Sequence, residues 1–237
     1  MKVSWKSFAA LLATLLLAMT GIAAERGKGD QDFKPLFPKD GVPEDWEVRD
    51  WADVKNPGPE GAVWKVINGV LNGSEPRGTW LVSKKLYSDF VLKFEWKLGE
   101  RGNSGCGLRF PGHGDPAFDG LELQMVDPRY YPPEQSVTKS ELSSSLYLAV
   151  QGKPELYKPL AWNSYVITCK GAHVQVVFNG EEVLNVNLKE IEKTPKRHNG
   201  QDAVPMNERP VKGHLGFQEL SRGGGHVEIR NAQIKEL

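Results

Sequence analysis

Apolar and polar residues alternate with a period of two along residues 90–98, the clearest pattern in the chain. The apolar members are Phe90, Leu92, Phe94, Trp96 and Leu98. Because successive side chains of a β-strand point to opposite faces, this period predicts a strand with one face in a core. About a dozen such short segments follow one another, separated by glycine, proline and asparagine. The pattern predicts an all-β fold, and we expect a two-sheet antiparallel β-sandwich of the jelly-roll type.

Two Asn-Gly dipeptides mark the tightest predicted turns. Asn68-Gly69 and Asn179-Gly180 each lie between segments rich in β-branched and apolar residues. Both central residues of a type I′ turn need a positive φ, which asparagine and glycine tolerate best. We therefore expect a β-hairpin at each position. The polar stretch 189–210 is expected to cross the surface, with one helical turn near residues 188–192.

The first 24 residues have the layout of a secretory signal peptide. Lys2 and Lys6 precede an apolar run at residues 8–19, and small residues follow up to Ala24. A membrane-spanning helix needs ~20 apolar residues, so this run predicts an export signal, with an uncleaved anchor as the alternative. We expect an exported bacterial protein, periplasmic or extracellular, that does not span the membrane.

The remainder of the chain is expected to form a polar leader at residues 25–32 and a single domain at residues 33–237. Nothing in that domain resembles a linker. The formal net charge is zero, which argues against nucleic-acid binding because such proteins normally carry a basic stripe. The two cysteines, Cys106 and Cys169, fall at core-facing strand positions. Export permits a disulfide, and buried free thiols are an equal alternative.

A polar face is predicted on two neighbouring strands, within residues 103–110 and 119–127. In the first strand Cys106, Leu108 and Phe110 share the core face, and the other face carries Gly105, Gly107 and Arg109. In the second strand Glu122 and Gln124 lie opposite the leucines and the methionine. Glycine within a strand often marks a close approach of a ligand to the backbone. The sequence therefore predicts the floor of a site for a hydroxyl-rich molecule.

A series of short motifs carries a family resemblance. In chain order they are Trp64-x-Val66 with Gly69-Val70-Leu71, Tyr87-x-Asp89-Phe90, Asn103-Ser104-Gly105 with Arg109, Gly120-x-Glu122-x-Gln124 with Asp127, Leu146-Tyr147, Trp162-Asn163, Asn179-Gly180, Gly216-Phe217-Gln218, and Arg230-Asn231 with the closing Ile234-Lys235-Glu236-Leu237. With these motifs in this order and spacing, the chain resembles the 3-keto-disaccharide hydrolase family from residue 33 to its end.

The resemblance implies a concanavalin-like jelly roll related to glucanases and lectins. It also implies a carbohydrate substrate, a glycoside whose sugar a partner dehydrogenase has already oxidised at carbon 3. One position departs from the family pattern. The family often has a histidine two residues after the glutamine matched to Gln218, where this chain has Leu220. His226 lies nearby in the sequence and is a candidate replacement.

A ketone at carbon 3 acidifies the hydrogen at carbon 2, so a base can start an elimination that releases the glycosidic oxygen. Glu122 is the first candidate for the base, and Arg109 for the group that holds the keto oxygen. Asp127 is a candidate acid or metal ligand. A divalent metal held by Glu122, Asp127 and a histidine stays open as a Lewis acid, with no tight ligand spacing to support it.

Substrate binding is assigned to three amides and one phenol. Asn103, Gln124 and Gln218 are expected to bind sugar hydroxyls. Tyr147 either joins them or packs beneath the long loop at residues 128–141, a loop whose length itself suggests function.

Three alternatives remain. Glu122 and Arg109 could form a cross-strand salt bridge without catalysis. A retaining glucanase of this fold would carry Glu-x-Asp-x-x-Glu, where this chain reads Glu122-x-Gln124-x-x-Asp127, so the usual carboxylate pair is degraded. A lectin-like carbohydrate-binding module without catalysis is the alternative from another functional class.

Overall fold

Thirteen β-strands form almost all of the regular structure in the computed structural model, which describes residues 32–237. The predicted signal peptide and nearly all of the leader therefore lie outside the described residues. The strands are β1 (Lys34–Pro35), β2 (Trp46–Asp50), β3 (Lys65–Ile67), β4 (Val70–Asn72), β5 (Thr79–Ser83), β6 (Phe90–Leu98), β7 (Asn103–Phe110), β8 (Leu121–Val126), β9 (Asn163–Lys170), β10 (His173–Phe178), β11 (Glu181–Asn187), β12 (His214–Glu219) and β13 (Val227–Glu236).

Helical structure in the described residues is limited to short turns. The α-helix α1 spans Pro116–Asp119, and 3₁₀ turns occupy Pro128–Tyr130, Lys139–Glu141, Pro154–Leu156, Leu188–Glu190 and Met206–Glu208. The turn at Leu188–Glu190 lies where the sequence predicted one. None of the helices in residues 32–237 has the length and apolarity needed to cross a bilayer.

The strands form two antiparallel sheets. Sheet A has the order β11-β10-β9-β6-β13-β4-β3, and sheet B has the order β2-β5-β12-β7-β8. Some neighbours along each path, such as β6 and β13 in sheet A and β12 and β7 in sheet B, are distant in sequence, as in a jelly roll, and the predicted all-β sandwich is confirmed. The compact unit comprises Pro35–Leu237.

The core lies between the two sheets. Along β6 the residues alternate between buried and half-buried, as the period of two requires. Phe94 of sheet A meets Phe217 of sheet B edge-to-face at 5.2 Å between ring centroids. Cys106 and Cys169 are both buried here as free thiols, and burial raises the pKa of each. The core therefore uses both cysteines as small apolar residues.

Both predicted hairpins are present. Asn68 and Gly69 join β3 to β4 with φ of 51° and 75°, and Asn179 and Gly180 join β10 to β11 with φ of 50° and 90°. Positive φ at both central positions is the type I′ signature that the dipeptide predicted.

A β-bulge at Arg109 breaks the predicted alternation of β7. Leu108 pairs with Leu215 and Phe110 with the adjacent His214, so Arg109 is the extra residue between them. Its φ is 54°, and the chain turns over at this point. The guanidinium consequently enters the sandwich beside the Phe90 ring, at 5.6 Å. Phe110 moves to the outer face of sheet B, against Trp80. The predicted core position of Phe110 is wrong for this reason.

Irregular segments cover the outer face and the free edge of sheet B. The segment around Leu146 forms no named strand. It follows the edge of β8 instead, where Tyr147 N donates to Glu122 O at 2.9 Å and Ser144 N donates to Gln124 O at 3.1 Å. The covering segments make the outer face of sheet B a buried surface.

Candidate functional site

A pocket of about 540 Å³ lies on the outer face of sheet B. Most of its lining is polar or aromatic. The lining residues are Trp51, Arg77, Gly78, Asn103, Asp115, Ala117, Glu122, Gln124, Tyr130, Tyr131, Gln135, Glu141, Tyr147, His198, Gln218, Leu220 and Arg222. The volume falls within the ~300–1,000 Å³ typical of ligand-binding pockets.

Glu122 forms the centre of the pocket floor. It sits on β8 opposite Gly107, and its side chain lies over the neighbouring Gly105. A Cβ on Gly105 would come within 1.9 Å of the Glu122 carboxylate, so only glycine leaves room for this side chain. Glu122 is 4% exposed, and its Oε1 has no hydrogen-bond partner among the described residues. An unsatisfied buried carboxyl oxygen aimed into a pocket is a strong indication of a ligand.

Burial makes Glu122 a poor acid. The pKa of Glu122 is raised well above its usual value, mainly by desolvation, and the nearby Asp115 carboxyl adds to the shift. A carboxyl group in this setting binds a proton more tightly than one in water. This property suits a group that accepts a proton during a reaction.

Asp115 is a second buried carboxyl in the same pocket. It caps the first turn of α1 through a hydrogen bond from Ala117 N at 3.0 Å. Burial raises the pKa of Asp115 to about 7, although the Ala117 hydrogen bond favours the carboxylate form. The two carboxyls therefore form an electrostatically coupled pair in the pocket.

Three buried amides surround the carboxyls. Asn103, Gln124 and Gln218 are 7%, 3% and 4% exposed, and all three line the pocket. The Oδ1 of Asn103 has no hydrogen-bond partner among the described residues. Amides offer both donors and acceptors, which is the inventory that sugar hydroxyls require.

Two tyrosines close the pocket from the side of the long loop. Tyr131 donates to Glu141 O at 3.0 Å, and Tyr147 packs edge-to-face against Phe118 at 6.2 Å. Burial raises the pKa of Tyr131 and of Tyr147, so both phenols remain protonated at neutral pH. They are hydrogen-bond donors held in a partly dry site.

The comparison with family models identifies the chain. The model of the 3-keto-alpha-glucoside-1,2-lyase-like domain matches residues 32–235. The chain belongs to this family. The sequence-based resemblance is thereby confirmed for nearly the whole described region.

Two solved structures are similar to this lyase-like domain over most of its length. A Parabacteroides distasonis ATCC 8503 protein named as a glycosyl hydrolase is 25% identical, with a TM-score of 0.69, over 86% of this chain and 99% of that one. Another from the same organism is 23% identical, with a TM-score of 0.66, over 87% of this chain and 94% of that one. A search of curated proteins found no significant match. The lyase-like domain is thus a carbohydrate-active, glycosidase-like protein.

The sequence predicted five of the residues that line the pocket of the lyase-like domain. Glu122, Gln124, Asn103, Gln218 and Tyr147 all lie there, although their individual roles stay predictions. Period-two alternation identified Glu122 and Gln124, and the family motifs supplied Asn103 and Gln218. Tyr147 reaches the pocket from the irregular segment along β8, so it joins the amides at the site.

The prediction that Arg109 shares the hollow with Glu122 is wrong. Arg109 is fully buried, and its guanidinium donates to Ser88 O at 2.6 Å and Gly171 O at 2.5 Å. It also lies 3.3 Å from the Asp89 carboxylate. These partners belong to loops at one end of the sandwich. The β-bulge is the physical cause, since it turns this side chain away from the outer face.

Asp127 is also absent from the pocket lining of the lyase-like domain. Its two carboxylate oxygens accept from the Arg129 side chain at 2.9 Å and 2.7 Å, and one of them also accepts from Arg129 N. The arginine contacts hold the pKa of Asp127 below its usual value against the opposing effect of burial. A carboxylate bound in this way stabilises the turn that follows β8, and its role as catalytic acid or metal ligand stays a prediction.

The carboxylate set proposed for a metal is not assembled. Glu122 and Asp127 are separated by five residues along an extended chain, roughly 16 Å. Among residues 32–237, no three His, Cys, Asp or Glu side chains form a group suited to a metal ion. His226 lies outside the pocket, between Glu75 at 2.9 Å and Glu219 at 3.5 Å. It therefore does not take the place of the histidine replaced by Leu220.

His198 is a pocket residue that sequence reasoning missed. The polar insertion 189–210 carries it over the pocket, where its ring meets Phe118 edge-to-face at 5.2 Å. The Arg197–Asp119 ion pair, at 2.5 Å, fastens this loop to α1. Burial lowers the pKa of His198, so the imidazole is mainly neutral at pH 7. Loops without periodicity gave no signal for this residue.

Asp115 and Tyr131 were also missed, although each had a signal. Asp115 precedes Pro116, and an acidic residue before proline is a common helix start. This pattern places a carboxyl at the start of α1. Tyr131 belongs to the long loop after β8 that the sequence already marked as functional. Neither signal alone shows that the side chain turns inward.

Proposed function

We propose that this protein cleaves the glycosidic bond of 3-keto glycosides by elimination, with water adding to the product afterwards. The observation that carries the proposal is Glu122, a buried carboxyl with an unpartnered oxygen on the floor of a polar pocket of sugar-binding size. The family to which the chain belongs supports the choice of reaction.

The reaction begins with a proton transfer. Glu122 takes the hydrogen from carbon 2, and the electron pair of that bond forms the enolate with the carbon 3 ketone. When the ketone re-forms, a double bond appears between carbons 1 and 2, and the bond from carbon 1 to the glycosidic oxygen breaks. The leaving oxygen keeps the electron pair and gains a proton. A positioned base of this kind typically contributes ~10²–10⁴-fold in rate.

The pocket supplies groups for the other requirements. Protonated phenols of Tyr131 and Tyr147 can donate to the enolate oxygen, and such preorganised donors act strongly in a site that excludes water. The amides of Asn103, Gln124 and Gln218 suit the remaining hydroxyls. Asp115, with a pKa of about 7, exists in both protonation states near neutrality and is suited to exchange a proton with the leaving oxygen.

The same proposal includes a cellular setting. The keto group has to be made by oxidation of a sugar hydroxyl, so a sugar 3-dehydrogenase is the expected upstream enzyme. The signal-peptide pattern of the first 24 residues supports export to the periplasm or beyond. Detection of the protein in a secreted or periplasmic fraction, with the first 24 residues removed, tests this part.

The direct experiment uses the purified protein with a 3-keto disaccharide and the same disaccharide unoxidised. We expect release of the second sugar from the keto form alone, together with loss of deuterium from a substrate labelled at carbon 2. Glu122→Gln should lower kcat/KM by ~10³-fold. Glu155→Gln, a change at an exposed glutamate outside the pocket, is the matched control.

Two results would count against the proposal. Binding of both disaccharides without turnover favours a carbohydrate-binding module. Full activity in Glu122→Gln would remove the base from the mechanism even if the keto disaccharide is cleaved.

A further inference from the structure

Two arginines meet at one end of the pocket. Arg77 donates from Nη2 to the Tyr130 hydroxyl at 3.3 Å and also to Leu220 O. The guanidinium carbon of Arg222 lies 4.5 Å from the centre of the same Tyr130 ring. All four residues line the pocket. One tyrosine ring therefore holds two positive charges beside the ligand space.

Neither arginine has a carboxylate partner among residues 32–237. Most other arginines in that region do: Arg49, Arg109, Arg129, Arg197 and Arg230 are each ion-paired. Arg77 uses only neutral acceptors, a phenol and a carbonyl. Two like charges without counter-charges create a positive potential at this end of the pocket, which a bound anion would neutralise.

The rest of the pocket lining has no arginine or lysine among the described residues. Its ionisable side chains are the carboxyls of Asp115, Glu122 and Glu141, the phenols of two tyrosines and the His198 imidazole. A ligand with a negative charge at one end is therefore attracted to the arginine end alone, so it enters in one orientation. Guanidinium groups are also the side chains best shaped to bind carboxylate, sulfate or phosphate through paired hydrogen bonds.

The distance between the two regions indicates which part of the ligand is charged. Leu220 N donates to Asn103 O at 2.9 Å, which fixes the arginine end beside the start of β7. Glu122 pairs with Gly107 and reaches over Gly105, two to four residues further along β7. At ~3.3 Å per residue this is about 7–13 Å, enough for one sugar ring to lie between them.

We propose that Arg77 and Arg222, which both contact Tyr130, form an anion subsite, and that the preferred substrate carries a carboxylate, sulfate or phosphate on the unit beside the 3-keto sugar. This inference rests on the proposed function, because it names the substrate class of the same site. Glu122 acts on the keto sugar, and the two arginines hold the charged neighbour.

The kinetic test compares 3-keto disaccharides that differ only in their second ring. One ring is neutral, and the others carry a carboxylate, a sulfate or a phosphate. We expect kcat/KM to be about tenfold or more higher for at least one anionic substrate at low salt, and the advantage to shrink as salt screens the charges. The three anionic substrates distinguish the source of the charge.

Substitutions assign the preference to the two arginines. Arg77→Gln combined with Arg222→Gln should bring the ratio of anionic to neutral kcat/KM close to one. Arg101→Gln changes an exposed arginine that does not line the pocket, and the ratio should stay at the wild-type value. Turnover of the neutral substrate with no anionic preference overturns the subsite and leaves the proposed function intact.

A binding measurement covers the case in which no 3-keto substrate is cleaved. Titration of the wild-type protein with unoxidised disaccharides carrying the same three charged groups should show tighter binding than the neutral disaccharide. The double arginine variant should lose this difference. Equal binding of all four disaccharides by the wild type would refute the subsite independently of any catalysis.

Discussion

The outer faces of the two sheets carry similar side chains in different surroundings. On sheet A, Glu95 pairs with Arg230 at 3.0 Å and Lys97 with Glu228 at 2.9 Å, all of them partly exposed. On sheet B, Glu122 is buried and its Oε1 has no partner among the described residues. Both faces arise from the same alternation of apolar and polar residues. The covering segments make the difference, because they remove water from one face only.

The two environments have different energetic consequences. Exposed ion pairs on sheet A contribute ~0–1 kcal/mol each, because water competes for both charges. On sheet B, burial disfavours the carboxylate forms and raises the pKa of Glu122 and Asp115. Carboxyl groups with a strongly raised pKa are common in active sites, so we expect the reactive groups on the outer face of sheet B. Substitutions on the two faces should therefore change different properties of the protein.

After Glu122→Gln, the largest expected effect comes from Gly105→Ala. The new Cβ would lie 1.9 Å from the Glu122 carboxylate, so this side chain must move away from its present position. Misplacing a catalytic group by about 1 Å can cost ~10²-fold in rate, and we expect kcat/KM to fall by about 10²–10³-fold. Steady-state kinetics with a 3-keto disaccharide measures the loss.

Gly112→Ala is the control for this change. Gly112 follows β7, and the nearest atom to an added Cβ is His214 Nε2 at 3.5 Å, an ordinary contact. Kinetics like the wild type are expected. If Gly105→Ala were as active as Gly112→Ala while remaining folded, the position of Glu122 over Gly105 would be irrelevant to catalysis.

Substitution of Arg109 tests whether the β-bulge turns this charged side chain away from the pocket on the outer face of sheet B. Arg109→Met leaves Ser88 O and Gly171 O without their buried donor, and we expect unfolding free energy to fall by about 2–3 kcal/mol. Activity per folded molecule should be unchanged. Urea denaturation measures the stability, and Arg49→Met at the exposed Glu47 pair should change it far less.

An Arg109→Met protein that is stable but inactive would contradict this assignment. That result would return Arg109 to the catalytic site and imply that the bulge rearranges when substrate binds.

The sequence predicted the sandwich and the floor of the pocket because both depend on periodicity. Alternation placed Glu122 and Gln124 on one face of β8, and the structure has them there. Alternation failed at Arg109, because a β-bulge adds one residue with positive φ. The sequence of apolar and polar residues does not show such a bulge. It also gave no sign of the pairing of Asp127 with Arg129, which is only two residues away. A local ion pair of this kind has no periodic signature.

The walls of the pocket could not be predicted in the same way. His198, Asp115 and Tyr131 come from three irregular segments whose paths are set by contacts distant in sequence, such as Arg197 with Asp119. Loop composition indicates exposure or function in general terms. It does not indicate which side chains of a loop turn inward, because no repeat links one loop position to the next.

The burial of Asp115 on sheet B can be tested through the pH dependence of the unfolding free energy. Its folded pKa of about 7 lies above the ordinary value of 3.8, so the folded protein binds this proton more tightly than the unfolded chain does. Stability from this group therefore falls as pH rises from about 4 to 7. Asp115→Asn keeps a capping oxygen and removes the titration. Between pH 5 and 7 the wild type should lose about 2 kcal/mol more stability than the variant does.

Denaturation curves at several pH values provide the measurement. Arg197 and Arg209 keep their charge in both proteins, so the difference reports the Asp115 carboxyl together with its coupling to Glu122. Asp202→Asn, at a carboxylate that is 63% exposed, should follow the wild-type curve. Parallel curves for wild type and Asp115→Asn would mean that the Asp115 carboxyl is ordinary in pKa.

The smallest effect is expected from Glu95→Gln, the same chemical change as Glu122→Gln but on the outer face of sheet A. Arg230 holds the pKa of Glu95 below its usual value, so the charged form is the native one. Because both partners are about one-third exposed, the loss of unfolding free energy should stay below ~1 kcal/mol. Turnover should equal that of the wild type, since Glu95 does not line the pocket. A large loss of activity in Glu95→Gln would show that the two faces are coupled through the core. The assignment of catalysis to the outer face of sheet B alone would then be wrong.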